Sequence, residues 1–599
     1  MLGIGLSMVQ LAVHKLLGGT FNPTALFTTG VNGAWYDPSD FSTMFQDAAG
    51  TTPVTAVEQP VGLMLDKSKG LPLGPELVTN GDFSNGATGW TAVNSASLTV
   101  VSGYMRVTCN AMDSRAQQSF SVTSGNWYKL SYLAKPKDST AFGQTYIGTT
   151  AGSGNLLIRS ETTSGPVSVI FRATTNTVFV NLYGSSTNTA GNYSEWDNIS
   201  VRELPGNHAF NPSGNSANFP VLSARYNLLT KTEEFSDNAA WVKTNLDISA
   251  NTAATTDPLG GNTSDKLIST GANGSAYQVT TPSVAFGNNA LIVNLTDGTL
   301  GSLLAGSFTS VTTTDAGNGW WRIAAVKLGY TFSVYAKKGE WEYISIQMYD
   351  NSAGQSRVYV YPAKFSASIG AGDGTSGIYI WGADLRVAND ALNQPAYQRV
   401  NTATDYDTVG FKPYLRFNGV NQWMQTNSIN FTATDKVFVS AGVRKLSDYT
   451  TQINAMVMLE LGPQVDLNNG SFALVGSIGD NTGTKYNFDS KGTTTFVSAN
   501  TTSASYAAPI TSIVSGVSDL GGSPNDYAKL RINGSQISEN TTNQGNGPFG
   551  TYPLYIGARA GTSFWSNIRF YGAVIAGKQA SAAEITNTET FINQKTGAY

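Results

Sequence analysis

Leu77-Val-Thr-Asn-Gly-Asp-Phe-Ser-Asn-Gly-Ala-Thr-Gly-Trp90 is spoken a second time, with small changes, as Leu228-Leu-Thr-Lys-Thr-Glu-Glu-Phe-Ser-Asp-Asn-Ala-Ala-Trp241. Each version runs from an apolar pair and Thr, through an acidic residue beside Phe, to a polar turn that closes on Trp. A second phrase repeats in the same order: Tyr128-Lys-Leu-Ser-Tyr-Leu-Ala-Lys-Pro-Lys-Asp138 returns as Tyr330-Thr-Phe-Ser-Val-Tyr-Ala-Lys-Lys-Gly-Glu340. A third closes each copy, Glu195-Trp-Asp-Asn-Ile-Ser-Val201 against Ile380-Trp-Gly-Ala-Asp-Leu-Arg-Val387. Self-similarity over so long a period means a duplicated module, and it sets the frame for every other residue.

A chain of 599 residues is too long for one core and divides into three or four domains. Charged residues make up 13% while glycine numbers 63, so turns are frequent and helices scarce. The net charge of -4 and the lack of a long basic run argue against a phosphate-tracking surface, so nucleic acid is not an expected partner. The single cysteine, Cys109, ends an alternating run from Tyr104 and reads as a buried, inert thiol; one cysteine makes no disulfide framework. The apolar stretch within Met1 to Gly19 has no basic lead-in, its first cation being Lys15, and is too short and interrupted to span a bilayer. It reads as a short helix packed on the chain or on a neighbouring subunit.

Period-two alternation marks Ser97 to Val101, Tyr104 to Thr108, Tyr128 to Ala134, Val167 to Phe171 and Val178 to Leu182, separated by Gly, Ser, Thr and Asn; strands at this spacing make a sandwich. Tyr128, Leu130 and Tyr132 share a face with the equivalents Tyr330, Phe332 and Val334, which predicts that face as core. The copies differ in one respect: the Tyr phrase follows the Trp by 38 residues in the first and by 89 in the second. The surplus holds Leu291 to Leu300 and Gly317 to Val326, so the second module is permuted or rearranged, with its Tyr strand arriving late into the same slot. Residues 205–226 and 389–412 read as linkers. From residue 413 a third domain opens with Tyr414-Leu-Arg-Phe-Asn-Gly-Val-Asn-Gln-Trp-Met424; Asn533-Gly534 between alternating runs signals a two-residue hairpin, and Ser581-Ala-Ala-Glu584 is a capping box that starts a terminal helix through about Asn593.

These phrases carry three resemblances. Gly33-Ala-Trp-Tyr-Asp-Pro-Ser-Asp-Phe-Ser-Thr-Met-Phe-Gln-Asp47, with Gly50 to Val54 and Val61 to Asp66, resembles a segment near the start of many tailed-bacteriophage virion proteins, the tail fibre, head fibre and decoration proteins. The opening Asn-Gly-Asp-Phe and closing Asp-Asn-Ile-Ser-Val of the module resemble the first and last strands of carbohydrate-binding jelly rolls. The order of strands after Tyr414 resembles the laminin G-like, concanavalin-type sandwich. Together they imply an all-β protein of two jelly-roll modules (75–204 and 227–388) and a concanavalin-type sandwich (413–599) behind an N-terminal anchoring segment (1–74). By this reading Pro38 and Ser39 open one helical turn ending near Gln46, and Trp35, Tyr36, Phe41, Met44 and Phe45 are too many large groups for their segment to bury. They either dock on the first sandwich or anchor the chain to other virion proteins.

Catalytic chemistry finds little to stand on. The histidines, His14 and His208, lie in unpatterned segments, and no acidic pair sits in an apolar setting that would split its pKa values, so the chain reads as a non-enzyme that requires no cofactor. The jelly-roll resemblance implies a structural Ca²⁺ where first and last strands meet, with Asp82 and Asp197 in the first module and Glu234 and Asp384 in the second as its hard oxygen donors; turn-capping is the alternative for each. Sugar binding needs exposed aromatic platforms, and off the core face of the first module lie Tyr146, Phe179 and Tyr183. Packing between modules or subunits is the alternative use of these rings. The expectation is a virion fibre or decoration protein, made in the host cytoplasm and released by lysis, a homo-trimer or other homo-oligomer that holds host-surface glycans weakly and multivalently. Two rivals remain open: a decoration protein without ligand, and a polysaccharide depolymerase.

Overall fold

The computed structural model describes residues 21–280, 283–387, 394–449, 455–477, 485–501, 506–521 and 527–599, so His14 and the apolar N-terminal stretch lie outside the described residues. Among the described residues the protein is all β apart from short 3₁₀ turns and one helix, Ala582–Thr596. By contact it forms two units, one of residues 1–223 with 413–595 and one of residues 224–412 with 596–599.

The first unit contains the first jelly roll, two antiparallel five-stranded sheets. One holds, in spatial order, Leu157–Glu161, Gly143–Gly148, Thr177–Tyr183, Arg115–Ser121 and Thr91–Val93. The other holds Gly165–Arg172, Trp127–Pro136, Tyr193–Leu204, Tyr104–Thr108 and Ser97–Val101. We call the first the open sheet and the second the closing sheet, because the module's last strand runs through the latter. Tyr128, Leu130 and Tyr132 are buried between the sheets against Val178, Val180 and Leu182, as alternation requires. Cys109 is buried as well.

The second unit is the second jelly roll, two six-stranded sheets. Its kinship with the first is written in hydrogen bonds. Gln118 clasps Thr79 by accepting from its N–H (2.7 Å) and donating to its carbonyl (2.9 Å); Gln278 clasps Thr230 in the same way at 2.8 and 2.9 Å. Trp90 donates to the carbonyl of Asn80 and Trp241 to that of Lys231, and both acceptor residues take a left-handed backbone, φ 53° and 50°. Glu76 and Asn227 each accept the N–H two residues on together with one from the last strand, Val201 or Leu385.

Strand order shows what happened to the Tyr phrase. In the first module the strand Gly165–Arg172, which follows Trp127–Pro136 in sequence, pairs with it at the sheet edge. In the second, Trp320–Lys327 takes that place beside Tyr330–Lys338 but precedes it in sequence. Asn288–Asn294 likewise fills beside Tyr343–Asp350 the slot that Leu157–Glu161 fills beside Gly143–Gly148. The Tyr strand keeps its position, and the edge strands come from an earlier stretch of chain.

The rest of the first unit is the concanavalin-type sandwich, and it corrects three boundaries. Its eight-stranded sheet takes in Gly33–Tyr36, Val221–Ser223 and Tyr414–Asn418, and its nine-stranded sheet takes in Met44–Phe45, Leu63–Met64 and Ala209–Phe210. Residues 21–74 are therefore no separate anchoring segment: Gly33–Tyr36 lies antiparallel to Asn567–Ala576, with Trp35 opposite Val574. Within it the expected helical turn is a 3₁₀ turn, Phe41–Thr43, that passes straight into a strand. Residues 205–226 are no linker either. His208 is buried, accepts from the Asp66 N–H through Nδ1 (2.9 Å) and donates from Nε2 to the carbonyl of Leu204 (3.0 Å), so both ring nitrogens are spent on the backbone and burial holds the imidazole neutral. In the second unit residues 394–412 are packed down, with Gln398, Val400, Tyr406 and Phe411 buried; Gln398 Oε1 accepts from Tyr226 N and Asn227 N. The hairpin at Asn533-Gly534 joins Tyr527–Ile532 to Ser535–Asn540 with both turn residues at positive φ. The capping box is formed by Ser581 and Glu584, and the helix runs over Ala582–Thr596.

Candidate functional site

The residues expected to anchor a particle are spent inside the sandwich. Trp35, Tyr36 and Met44 are buried, Phe41 packs against the main core, and Phe45 packs beside Leu63 and Phe210. The segment alone could not bury them, but strands from the far end of the chain do.

Each residue expected to hold calcium is engaged with its near neighbours in the chain, as turn-capping or ion-pairing groups are. Asp82 is exposed and accepts from Ser84 N (3.2 Å) and Oγ (3.0 Å), which lowers its carboxyl below the usual range; Asp197 accepts from Asn198 N at 2.8 Å; Glu234 pairs with Lys231 at 3.0 Å. Asp384 is buried with both oxygens on the Arg386 guanidinium, at 2.7 and 2.5 Å, and one also accepts from Gln398 N. Register explains the misplacement: Asp384 stands opposite Ser333 as Ser200 stands opposite Ser131, so its counterpart is Ser200 and not Asp197. A buried carboxylate whose charge is already neutralised by a bidentate guanidinium, and which takes a third hydrogen bond from Gln398 N, would hold a hard cation against the neighbouring Arg386 charge, so Asp384 does not fit the role. Among the described residues no three His, Cys, Asp or Glu side chains cluster as a metal set.

The platform residues do share a face. Phe179, Asn181 and Tyr183 alternate with the buried Val178, Val180 and Leu182, and Tyr146 stands opposite Asn181, all on the solvent side of the open sheet. Tyr146 and Tyr183 lie 4.6 Å apart between ring centroids, with the Arg115 guanidinium 5.6 Å over Tyr183. The loop after Gly148 then folds over them: Gly152 donates to Asn181 Oδ1 (3.0 Å) and accepts from the Tyr183 hydroxyl (2.8 Å). Tyr183 is 7% exposed in consequence, while Tyr146 and Phe179 stay half-buried.

The same sheet of the second module carries a larger platform that the sequence reading passed over. Aligning Gln118 with Gln278 places Arg357 where Phe179 stands, Tyr359 where Asn181 stands and Tyr361 where Tyr183 stands, with Tyr277 and Tyr349 on the flanking strands. Tyr277 and Tyr359 are 4.6 Å apart, Tyr359 and Tyr361 are stacked at 5.7 Å and 13°, and Tyr349 meets Tyr359 edge-on at 6.2 Å. Arg357 lies 4.5 Å over Tyr277 and donates to the Tyr359 hydroxyl at 3.1 Å. Tyr361 donates to Gln347 Oε1 (2.5 Å), whose Nε2 donates to Asn288 Oδ1 (2.7 Å). Burial pushes the Tyr361 phenol well up, so it stays a neutral donor. Rings set in rows, interleaved with an amide and a guanidinium, offer flat apolar surface beside fixed donors and acceptors. The period-two spelling Arg357-Val-Tyr-Val-Tyr361 was the available signal.

No family model matches the chain, and no curated protein matches it. Among solved structures it is similar to a CBM4 structure, at 14% identity over 21% of this chain and 99% of that one, with a TM-score of 0.18. It is similar also to the receptor-binding domain of botulinum neurotoxin D, at 13% identity over 32% of this chain and 47% of that one with a TM-score of 0.24. The botulinum neurotoxin serotype G binding domain matches at 12% identity over 34% and 47%, also at 0.24. The chain spans less than half of the length of these two neurotoxin chains. Likeness at this level carries neither function nor ligand across.

Proposed function

We propose that this chain is a non-enzymatic adhesion protein of a tailed-bacteriophage virion that holds host-surface glycans on the solvent faces of its jelly rolls. The observation that carries the glycan part is the row Tyr277, Tyr359, Tyr361 with Tyr349 beside it on one sheet, where the part-exposed Tyr277, Tyr349 and Tyr361 surround a buried Tyr359 and are bordered by Gln347 and Arg357. A pyranose presents an apolar face to such rings and hydroxyls to such amides. The equivalent face of the first module is smaller and partly closed by the Gly152 loop, so the second module is the principal holder. Weak sites of this kind gain strength by repetition across a homo-oligomer, the trimer by analogy with fibres. The virion setting rests on the resemblance of Gly33 to Asp47; since its large side chains are internal, attachment to other virion proteins runs through other surfaces.

A host-glycan array probed with the full chain tests the reading. Binding is expected, and Tyr277→Ala and Tyr361→Ala should each weaken it about tenfold, the worth of one ring contact, with melting unchanged. A blank array from folded protein, or variants that bind as the parent does, refutes it.

A further inference from the structure

The opposite sheet of the second module has its own cavity, which the tyrosine face does not use. Three strands make its floor: Arg322 of Trp320–Lys327 stands opposite Tyr335 of Tyr330–Lys338, which stands opposite Trp381 of Gly377–Val387. All three side chains leave the sheet on the side away from the core, because Ile323, Val334 and Ile380 at the alternate positions are core residues. The segment from Gln394 to Phe411 crosses this face and sets Tyr397 4.6 Å from Trp381 and 6.2 Å from Tyr335. A cavity of about 610 Å³ opens between that aromatic trio and a rim of Leu259 and Val409. The rim residues are 79% and 89% exposed, and an apolar rim so open serves no core. A second cavity of about 210 Å³ shares the wall Pro395–Ala396 and is floored by Arg322, Ser333, Arg386 and Asp384.

The two guanidinium groups there differ in their accounts. Arg386 is answered by both oxygens of Asp384. Among the described residues Arg322 meets neutral partners, Ser333 Oγ at 3.1 Å, the carbonyl of Ala396 at 3.3 Å and the Tyr335 hydroxyl, and its buried Nε has no acceptor. A guanidinium without a counter-charge and with a spare buried donor is costly to hold, and the geometry that best relieves it is a carboxylate taken side-on. The adjoining rings suit a pyranose face, and the volume is that of a small-ligand site. We infer that this groove takes an acidic saccharide, with a uronate carboxylate at Arg322 and a neighbouring ring against Tyr335 and Tyr397, which Trp381 backs from its buried position. The inference rests on the adhesion reading for its ligand class and places a second, chemically distinct site on the same module.

Trigalacturonic acid and its methyl ester, which has the same rings without the charge, are the probes, titrated calorimetrically into the full chain. The acid should bind more tightly than the ester. Arg322→Gln should weaken the acid by at least about tenfold and leave the ester unchanged, as loss of a charge-assisted bond predicts. Val409→Asp, on the exposed rim where folding is not at stake, should weaken the acid alone by repulsion. Failure of the acid to bind at millimolar concentration, or equal binding by parent and both variants, overturns the groove. If Tyr361→Ala abolishes acid binding while Arg322→Gln does not, the groove falls and the tyrosine face stands. If the host-glycan array is blank yet the acid binds through Arg322, the face falls and the groove stands.

Discussion

Asp489 tests the electrostatic reasoning most cleanly. It lies on Asn487–Lys491 in the nine-stranded sheet, opposite Ala473 on one side and Ser498 on the other, and is 6% exposed. The Ser498 hydroxyl donates to it and, among the described residues, no cation pairs with it. Burial pushes its carboxyl from 3.8 up to about 6. Between about pH 4 and pH 6 the native state therefore binds more protons than the unfolded chain, so stability falls as pH rises through that window and is flat above it. A rise of about two units is worth ~3 kcal/mol. Asp489→Asn keeps shape and acceptor but cannot ionise, and the titrations that its charge does not touch cancel when variant and parent are compared; Glu460, which that charge helps to raise, moves down in the variant and adds to the difference in the same direction. The difference should be near zero at pH 4 and should favour the variant by ~3 kcal/mol at pH 7, an upward shift of several degrees for a domain of this size. Differential scanning calorimetry of both proteins across this range measures it. A pH-independent difference, or a variant less stable than the parent at pH 7, refutes the assignment.

Two further outcomes follow from named contacts. Arg386→Ala leaves Asp384 charged, buried and unpaired, so the second unit should lose about 3–5 kcal/mol, and the double variant with Asp384→Asn should recover most of it in thermal scans. Gly33→Ala places a Cβ 1.9 Å from the carbonyl oxygen of Ile575, which nothing flexible can relieve; the strand should detach from Asn567–Ala576, at a cost on the order of 3 kcal/mol or more, and residues 21–74 should become sensitive to protease.

The twin modules were legible because duplication preserved a phrase whose roles are local: Asn80 and Lys231 accept from a Trp ten residues on, and the core parity of the Tyr strands survives rearrangement. The clasping glutamines were not, since Gln118 and Gln278 look like any polar residue on an alternating strand. Strands of two or three residues, such as Ala209–Phe210 and Val221–Ser223, show no periodicity, and their partners lie some two hundred residues away at Gln425 and Arg416; hence the reading as a linker. The same distance hid the fate of Trp35. The equivalence of Asp197 and Asp384 was misleading for a smaller reason: both last strands carry the same bulge, at Asn198 and at Gly382, and counting from it sets Trp381 on the position of Asp197 and Asp384 on that of Ser200. The Phe179 and Tyr183 face followed from alternation alone, but whether a loop would close over it did not.

Because Gly33–Tyr36 completes its sheet against Asn567–Ala576, an early strand and one made more than five hundred residues later are neighbours, with both jelly rolls threaded between them in sequence. At about 5–20 residues per second, a ribosome keeps that early strand waiting on the order of a minute for its mate. The jelly rolls can condense as they emerge, as guests of a host not yet built. Through that interval Trp35 and Tyr36 ride on the nascent chain in need of shelter, and a truncation that removed Asn567–Ala576 would strand Gly33–Tyr36 as surely as it removed its mate.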